Sequence, residues 1–477
     1  MNILLLLPPL SLNTSYGRLR DFSNPQPSIG VAYLAAVLQR EGISVEVLDA
    51  YALQLEANEI IRILADRSPA VVGISLLSTS YEIVSSLVNQ IRSLIPHVVI
   101  VVGNLHASLY CEEILLHGVA DYVVHREGEY VLLDLVRTLE RGGDPTSVRG
   151  ISFLDGQRVF HTEIPPLIED LDSLPFPAWE LFSRDAYRTD PRTEVVPGVT
   201  ETLILATRGC PNQCTFCSSR TSRSLGPRYR MRSPENVADE MEFMHDRFGS
   251  TVFGFMDLAF PLVKSHAMGL FSEIVRRGLQ RKISWMTECR VKPLDEETVA
   301  AMKKAGCVRM NFGIESGNDE VLRRLRKNFT TEDVQRAVTM ANREGIEVDG
   351  MFMLGLPGET EESIRQTIEL AAGLDLRYAI FNLFVPYPGC ELFDQLKQEG
   401  KLNYESWAQF TSYGGYSGLD PVYVPDGLTP KRLTELQKFA MRRFYLRPRF
   451  ILQELKRANW SKARHYVNGL ASVILGK

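Results

Sequence analysis

The sequence predicts an α/β protein with two successive domains, each alternating strands and helices, and a small helical C-terminal region. Short runs rich in Val, Ile and Leu alternate with amphipathic stretches over residues 1–142, and the alternation returns over residues 201–428. Between them, residues 143–200 are rich in Pro and acidic residues without a sustained period, which indicates an ordered connector. Residues 429–477 form the C-terminal region, with Pro448 interrupting a helical pattern over 429–465.

The first domain is predicted to be a Rossmann-like, doubly wound parallel sheet. Five β-rich runs predict its strands: Ile3–Leu7, Ser44–Asp49, Ala70–Ser75, Val98–Gly103 and Asp121–His125. Helical periodicity predicts its helices near Gly30–Glu41, Ala57–Asp66, Tyr81–Leu94, Leu109–His117 and Glu129–Arg141. Repeated βα units form open parallel sheets whose ligands bind beyond the carboxyl ends of the strands.

The second domain is predicted to be a partial, TIM-like (β/α)6 barrel, since six βα units occur without the closing pair of an eightfold barrel. Its predicted strands are Thr202–Thr207, Val252–Asp257, Ile283–Glu288, Arg309–Gly313, Glu347–Leu354 and Ile380–Phe384. Its predicted helices are Pro234–Arg247, Lys264–Arg277, Asp295–Ala305, Asp319–Leu325 with Thr331–Glu344, and Glu361–Ala372.

The composition excludes several classes of protein. Of the 477 residues, 45% are hydrophobic and 23% are charged, which excludes disordered and fibrous chains. No apolar run reaches the roughly 18 to 20 residues of a membrane-spanning helix. The N-terminal run MNILLLLPPLSL has no preceding basic residue and is interrupted by Pro8 and Pro9, so a first strand is expected rather than an export signal. Seven cysteines, an odd number, argue against a disulfide framework.

The charge is unevenly distributed along the chain. The net charge is −5, but residues 430–477 carry +10 and the remainder −15. The basic, aromatic-rich stretch RRFYLRPRFILQELKRANW predicts either a face that covers the barrel mouth or contact with an anionic membrane or lipid. Nucleic-acid binding is not expected, since the body is acidic and no RNA-binding module is visible. The protein is predicted to be cytoplasmic, with peripheral contact at the inner membrane face as the alternative.

Three of the seven cysteines lie in the segment RGCPNQCTFCSS, directly after the first predicted barrel strand. Cys210, Cys214 and Cys217 can converge on one metal centre, and a structural zinc site is one alternative. Three ligands on a four-iron cluster leave one iron open. The CxxxCxxC spacing on this loop resembles that of the radical S-adenosylmethionine (SAM) enzymes. In that family a [4Fe–4S] cluster binds the amino and carboxylate groups of SAM.

Other segments resemble the SAM-binding parts of that family. One is the residue before the third cysteine of the motif. The others are FGIESG at the end of the fourth predicted strand, MFMLGLPGE on the fifth strand, and TECR, whose arginine lies beyond the third strand. The resemblance implies SAM contacts from Phe216, Arg290, Gly313, Glu315, Ser316 and Gly355. The alternatives are a helix N-terminal carboxylate for Glu315, turn chemistry for Gly355 and a salt bridge for Arg290. Asp257, Cys289 and Cys390 are weaker candidates for substrate contact.

Over nearly its whole length the chain resembles the cobalamin-dependent radical SAM enzymes. The resemblance in the first domain is carried by PSIGVAYLAAVLQREG, GISLLSTS, VVGNLHAS and DYVVHREGE. It implies that cobalamin lies at the carboxyl edge of the first sheet, facing the cluster. The residues implied are Ser75, Leu77, Ser78, Thr79, Gly103, Asn104, His106, Glu127, Gly128 and Glu129.

Two departures from typical cobalamin domains occur. DAYALQ stands where such domains carry DxHxxG, with Tyr51 and Gln54 at the His and Gly positions, so this loop offers cobalt no imidazole ligand. Val102-Gly103 stands in place of the usual GG. A degenerate sheet that only supports the barrel or a substrate is the alternative. The methylthiotransferase class is excluded, because residues 1–200 contain only Cys111.

The resemblance implies an enzyme that cleaves SAM reductively at the cluster and acts on an unactivated carbon, most simply by cobalamin-dependent C-methylation. An electron donor such as flavodoxin or ferredoxin and a small-molecule or lipid substrate would be its partners. The alternatives are a cobalamin-linked cyclase or rearrangement enzyme and a non-catalytic cobalamin or SAM sensor.

Overall fold

The computed structural model describes residues 1–10, 25–183, 186–187, 201–220 and 228–457. Two sheets dominate these residues, one of seven strands in the N-terminal part and one of six strands in the C-terminal part. The predicted α/β class, with a doubly wound domain followed by a partial barrel, is confirmed. No helix among the described residues is long and apolar enough to cross a membrane.

The first sheet has the strand order β2-β1-β3-β4-β5-β6-β7. Its strands are β1 (Asn2–Leu7), β2 (Ser44–Asp49), β3 (Val71–Ser75), β4 (Val99–Gly103), β5 (Tyr122–Val124), β6 (Ile151–Asp155) and β7 (Arg158–His161). Its helices are α1 (Ile29–Arg40), α2 (Ala57–Arg67), α3 (Tyr81–Leu94), α4 (Leu105–Leu109), α5 (Cys111–Leu116) and α6 (Gly128–Glu140). The strand order reverses beside β1, and ligands bind at such switch points in open α/β sheets.

The interior strand β1 is buried on both faces, which explains its uninterrupted run of leucines. Ile3 and Leu5 pack with α1 and α6 on one face, while Leu4 and Leu6 pack with α2 and α3 on the other. The alternation of side chains along the strand thus places a core layer on each side of the sheet.

The first sheet continues into the region predicted as a connector. Strands β6 and β7 lie within residues 143–200 and extend the sheet in antiparallel fashion beyond β5. The turn between them contains Asp155-Gly156, and Gly156 has a positive φ of 63°, as a tight hairpin requires. This Asp-Gly pair is a hairpin signal that the sequence interpretation overlooked.

The second sheet is parallel, with the order β8-β11-β12-β13-β14-β15, and its edge strands β8 and β15 do not pair with each other in the described chain. Its strands are β8 (Thr202–Ile204), β11 (Val252–Phe255), β12 (Ser284–Cys289), β13 (Cys307–Glu315), β14 (Glu347–Leu354) and β15 (Tyr378–Leu383). A separate antiparallel pair, β9 (Thr207–Arg208) and β10 (Arg230–Met231), precedes and follows the cysteine loop. The helices of this second part of the chain are α7 (Pro234–Phe248), α8 (Lys264–Arg276), α9 (Glu296–Lys304), α10 (Asp319–Arg324), α11 (Thr331–Arg343), α12 (Glu361–Gly373), α13 (Glu391–Gln398) and α14 (Gly414–Ser417).

The predicted first barrel strand, Thr202–Thr207, is two strands in the structure. The chain leaves the sheet after β8, and the carboxylate of Asp257 accepts a hydrogen bond from the amide of Ala206 at 3.1 Å. This contact replaces a ladder hydrogen bond and turns the chain into β9. The break aims the cysteine loop across the end of the barrel.

Two helices, α15 (Pro430–Tyr445) and α16 (Pro448–Arg457), form the described part of the basic C-terminal region. Arg432 and Arg443 of α15 form ion pairs with Glu361 and Glu369 of α12. Buried Arg447, between the helices, donates hydrogen bonds to backbone carbonyls that follow α12, including that of Leu376 at 2.6 Å. Much of the basic charge therefore attaches this region to the barrel. Residues 458–477 of the predicted region lie outside the described residues.

Candidate active site

The three cysteines of the CxxxCxxC segment lie on the loop after β9. Cys210 is buried, and Cys214 and Cys217 are half-buried. Asn212 Nδ2 donates to Cys210 Sγ at 3.3 Å, and Arg290 Nη1 donates to Cys214 Sγ at 3.4 Å. Two of the three sulfur atoms therefore already lie within reach of side-chain N–H donors.

The loop is held by the barrel at its centre. The Thr215 amide donates to the carbonyl of Leu325, and the Leu392 amide at the start of α13 donates to the Thr215 carbonyl at 3.1 Å. Gly209, immediately before Cys210, has a φ of 86° that favours glycine. The three thiols therefore lie on one loop whose conformation is fixed by these backbone hydrogen bonds and by Gly209.

Glu315 and Lys327 form a buried ion pair at the end of β13. Lys327 Nζ lies 2.9 Å from Glu315 Oε1 and 5.5 Å from the centre of the Phe216 ring. Glu315 has a φ of 70°, and the strand register shifts at this point, so the side chain turns back over Gly313. A Cβ on Gly313 would lie 2.8 Å from Glu315 Oε1, so any side chain at this position would displace the Glu315 carboxylate. Phe216, Gly313 and Glu315 are thus brought together, with Lys327 as a partner that sequence reasoning missed.

Arg290 joins this group to the cysteine loop. Its Nη1 reaches Cys214, and its Nη2 donates to the carbonyl of Lys327 at 2.7 Å. The side chain therefore spans the two segments rather than forming the salt bridge considered as an alternative.

Ser316 and Gly355 lie less directly in the site. Ser316 is fully buried, and its hydroxyl lies 3.3 Å from that of Thr367 on α12. The amide of Gly355 donates to Glu359 Oε2 at 2.8 Å. Burial raises the pKa of Glu359 to about 7 despite this hydrogen bond. Both predicted residues therefore shape the backbone around the site.

The three weaker candidates for substrate contact are all buried in the barrel. Asp257 accepts hydrogen bonds from Ala206 and Thr207, and burial raises its pKa to about 6. Cys289, the last residue of β12, packs among core side chains, and burial raises the pKa of its thiol. Cys390 caps α13 through the amide of Phe393, and burial raises its pKa to about 12. The structure does not bring these side chains to an accessible surface, because each is engaged in packing or backbone capping.

A cavity of about 370 Å³ lies between the carboxyl edge of the first sheet and the chain that leads into the cysteine loop. The sheet contributes six of the predicted residues: Ser75, Gly103, Asn104, Glu127, Gly128 and Glu129. The barrel contributes Leu205, Thr207, Arg208, Gly209, Met256 and Leu258. Both domains therefore form the wall of one cavity.

Four other predicted residues lie beside this cavity rather than on its lining: Leu77, Ser78, Thr79 and His106. His106 is buried, its Nδ1 lies 2.9 Å from Ser78 Oγ, and its ring lies 5.1 Å from that of Trp407. Burial lowers the pKa of His106 to about 4, so the imidazole is neutral at physiological pH. Trp407 belongs to the C-terminal part of the chain, so this cluster is a second contact between the domains.

Glu127 and Glu129 form buried ion pairs across the domain boundary. Arg208 lies 3.0 Å from Glu127 and 2.7 Å from Glu129, while Arg230 lies 2.7 Å from Glu127. Burial alone would raise the pKa of Glu127, but the hydrogen bond from Arg230 and the charge of Arg208 hold it below its usual value. The predicted cobalamin-side carboxylates thus hold the strand that precedes the cysteine loop. The sequence motifs HREGE and TRG contain the two glutamates and Arg208, but no local feature of either motif indicated that these residues form ion pairs.

Comparison with known proteins places both domains. The family described as "B12 binding domain" matches residues 18–136, and the "Radical SAM superfamily" matches residues 204–371. An uncharacterized methyltransferase of Pyrococcus horikoshii is 30% identical over 475 residues, spanning 99% of this chain and 98% of that protein. The chain belongs to the cobalamin-dependent radical SAM enzymes.

Two further proteins similar to this chain have names that state different activities. An anaerobic magnesium-protoporphyrin IX monomethyl ester cyclase of Cereibacter sphaeroides is 26% identical over 434 residues, which cover 90% of this chain and 68% of that one. The structure of the radical SAM methyltransferase TsrM from Kitasatospora setae, with cobalamin and a [4Fe–4S] cluster bound, has a TM-score of 0.71. It is 21% identical and covers 92% of this chain and 91% of TsrM, so the two share a fold.

The residues present fit the cofactors of this family, which are a [4Fe–4S] cluster, SAM and cobalamin. Three thiols on one loop match the number of protein ligands that a [4Fe–4S] cluster with one open iron position requires. The cavity wall is mostly apolar with a few polar groups, as cofactor sites are. A Cβ on Gly128 would lie 3.2 Å from Leu34 and 3.3 Å from Val124, so glycine at this position allows α6 to begin close against α1 and β5 at the cavity wall. The lining contains no residue of the DAYALQ loop, in keeping with its lack of histidine.

The barrel interior of this radical SAM enzyme contains polar groups that sequence reasoning missed. Glu288 pairs in register with Asn311, so the two side chains share the inner face of β12 and β13. The Glu288 side chain is accessible to solvent, but the barrel walls around it desolvate its carboxyl and, together with the charge of Glu315, raise its pKa. The Oδ1 atoms of Asn311 and Asn382 are buried without a hydrogen-bond partner. Only the strand alternation in TECR could have indicated the inward direction of Glu288.

Proposed function

We propose that this enzyme methylates an unactivated carbon of a small molecule. One observation carries the proposal: the strand that leads into Cys210 forms one wall of the cavity whose other wall is the carboxyl edge of the B12-binding sheet. A SAM molecule on the cluster and a cobalamin on the sheet would therefore face the same space. The names of the P. horikoshii relative and of TsrM both state methyl transfer.

The cofactors supply the bond-making chemistry when bound: SAM at the cluster provides a hydrogen-abstracting radical, and cobalamin transfers a methyl group. The chain's own residues position these groups. Cys210, Cys214 and Cys217 would hold the cluster, and Glu315, beside Lys327, would accept hydrogen bonds from the SAM ribose or amino group. Gly103 and Gly128 line the cavity that would hold the corrin.

The inner face of the barrel supports a substrate with an apolar body and hydrogen-bond donors. Gly313, Met351 and Ile380 pair across three strands, and Met353 pairs with Asn382. The accessible Glu288 and the unpartnered Oδ1 atoms of Asn311 and Asn382 are hydrogen-bond acceptors. A ligand bearing N–H or O–H groups would satisfy them, as buried polar groups require.

The test of this function uses the full chain with cluster and cobalamin reconstituted anaerobically. It is incubated with reductant, SAM carrying a trideuterated methyl group and a small-molecule extract of the cells that express the protein. The proposal predicts an extract component that gains the trideuteromethyl group, and no such product with the Cys214→Ala variant. Consumption of SAM with a changed but unlabelled product would instead support the cyclase or rearrangement alternative, which the C. sphaeroides relative's name represents.

A low-potential electron donor and a reducing compartment belong to the same proposal. A flavodoxin or ferredoxin would reduce the cluster, and the seven cysteines, none of them in a disulfide, suit the cytoplasm.

We further propose that the basic region serves as a cover of the barrel rather than as a membrane anchor, since Arg432 and Arg443 are paired with α12. Sedimentation with anionic vesicles tests this. Binding that is lost when Lys431, Lys438 and Arg442 are replaced by Glu would support the membrane alternative, and absence of binding supports the cover.

A further inference from the structure

Three metal-ligating side chains meet at the antiparallel edge of the first sheet, away from the proposed active site. Cys111 begins α5, His125 follows β5, and His161 ends β7. One ligand atom of each residue lies within 4.8 Å of the others. Cys111 and His125 are buried, while His161 remains exposed.

The register of the strands explains why the histidines meet. Val123 of β5 is opposite Ser152 of β6, and Ser152 is opposite His161 of β7. His125 lies two residues beyond Val123 and therefore shares its face. Both histidines thus project from one side of the sheet edge, the side on which α5 carries Cys111.

Ser152 holds the two imidazole rings in place. Its hydroxyl oxygen lies 2.7 Å from His125 Nε2 and 2.7 Å from His161 Nδ1, and the residue is fully buried. Outer hydrogen-bond partners of this kind orient the histidines of metal sites. Glu112, adjacent to Cys111, has Oε1 3.6 Å from His161 Nε2 and offers a carboxylate on the solvent side.

We propose that Cys111, His125 and His161 form a binding site for a zinc ion, with Glu112 or water as the fourth ligand. One thiolate and two imidazoles form a donor set that suits Zn²⁺. With bonds of about 2.0 to 2.3 Å, ligand atoms around a tetrahedral ion are roughly 3.3 to 3.8 Å apart, so side-chain adjustments of about 1 Å close the site. Binding releases the thiol proton of Cys111, and the exposed His161 gives the ion access from solvent.

The site would fasten the hairpin β6–β7 to the rest of the domain. β7 is the edge strand of the sheet, and a metal bond to His161 would tie it to α5 and to the end of β5. The role is structural and independent of the proposed methyl transfer. It concerns residues outside the cavity between the domains.

The experiment measures zinc in the full chain with its iron–sulfur cluster loaded, so that Cys210, Cys214 and Cys217 are occupied. After dialysis against a weak chelator, we expect about one zinc ion per chain by mass spectrometry of the metals. X-ray absorption at the zinc edge should show one sulfur ligand, with nitrogen or oxygen ligands completing the shell. His161→Ala, at an exposed position, should lose the zinc, and Cys111→Ser should lose the sulfur signal.

His117→Ala is the matched control, because this exposed histidine directly follows α5 but is not one of the three proposed zinc ligands. It should retain zinc as the unaltered chain does. Absence of zinc in the dialysed protein, or equal zinc in His161→Ala, would overturn the site. Zinc that is lost with Cys214→Ala but kept in His161→Ala would place the ion on the cysteine loop and overturn it as well.

Discussion

Arg208 and Glu127 form a buried ion pair of 3.0 Å that joins the B12-binding sheet to the strand preceding the CxxxCxxC segment. The two residues are 81 positions apart in the chain, and both side chains are more than nine-tenths buried. The same carboxylate also accepts from Arg230 on the strand that follows the loop. One side chain of the first domain therefore holds both ends of the segment that carries Cys210, Cys214 and Cys217.

Removing the charge of Glu127 should destabilise the enzyme strongly. Glu127→Gln leaves buried guanidinium groups undercompensated, and breaking a buried ion pair costs about 3 to 5 kcal/mol of unfolding free energy. The control is Glu163→Gln, which breaks the exposed pair with Arg149 and should cost less than about 0.5 kcal/mol. Denaturant unfolding of both variants measures the difference. Equal effects would show that the pair does not hold the domains together.

Gly313→Ala should impair SAM binding without removing the cluster. A Cβ at this position would lie 2.8 Å from Glu315 Oε1 and 3.5 Å from Lys327 Nζ, so the ion pair must shift. We expect the KM for SAM to rise about tenfold, the equivalent of about 1.4 kcal/mol, while iron content is retained. Gly373→Ala is the control, since nothing lies within 4 Å of its added Cβ. An unchanged KM in Gly313→Ala would exclude Glu315 from the SAM site.

Glu288→Gln should separate substrate recognition from SAM binding. The carboxylate faces the barrel interior, and its loss removes a charged acceptor, an effect of about 1.5 to 3 kcal/mol on substrate binding. Methylated product should fall at least tenfold at subsaturating substrate, with iron, cobalamin and SAM affinity retained. The exposed Glu332→Gln on α11 is the comparison. Product formation equal to that of Glu332→Gln would remove Glu288 from the substrate site.

Glu359 should make the stability of the barrel pH-dependent. Burial raises its pKa from 4.5 to about 7, so the folded protein holds this proton where the unfolded chain has released it. The ionised carboxylate is disfavoured in the folded protein. The contribution of Glu359 to the free energy of unfolding therefore falls as pH rises from about 4.5 to about 7. Relative to the unaltered chain, Glu359→Gln should gain melting temperature between pH 5 and pH 8, measured by calorimetry at both values. A constant difference across this range would contradict the shifted pKa.

Features that depend on local sequence could be predicted. The spacing of Cys210, Cys214 and Cys217 is contained in eight residues, and the βα alternation follows from periodicity within each element. Gly313 and Glu315 were indicated by one segment, FGIESG, and the structure places them together. The Asp155-Gly156 pair is also a local signal for a hairpin, but the Pro-rich sequence that follows it favoured the interpretation of this region as a connector.

Features that depend on strand register and domain packing could not be predicted. The ion pairs of Glu127 and Glu129 could not be foreseen, because their partners, Arg208 and Arg230, come from another domain. Lys327 reaches Glu315 only because the chain returns through α10. His161 meets His125 through a hairpin that was not expected, and the inward direction of Glu288 follows from the pairing of β12 with β13.

The measurement that tests the central claim most directly is the stoichiometry of SAM products during substrate turnover. With cluster, cobalamin and reductant present, C-methylation predicts 5′-deoxyadenosine and S-adenosylhomocysteine in equal amounts, since one SAM provides the radical and another the methyl group. Both products should disappear with Cys210→Ala. Deoxyadenosine formed with product but without S-adenosylhomocysteine would contradict methyl transfer and identify a cyclase or rearrangement enzyme.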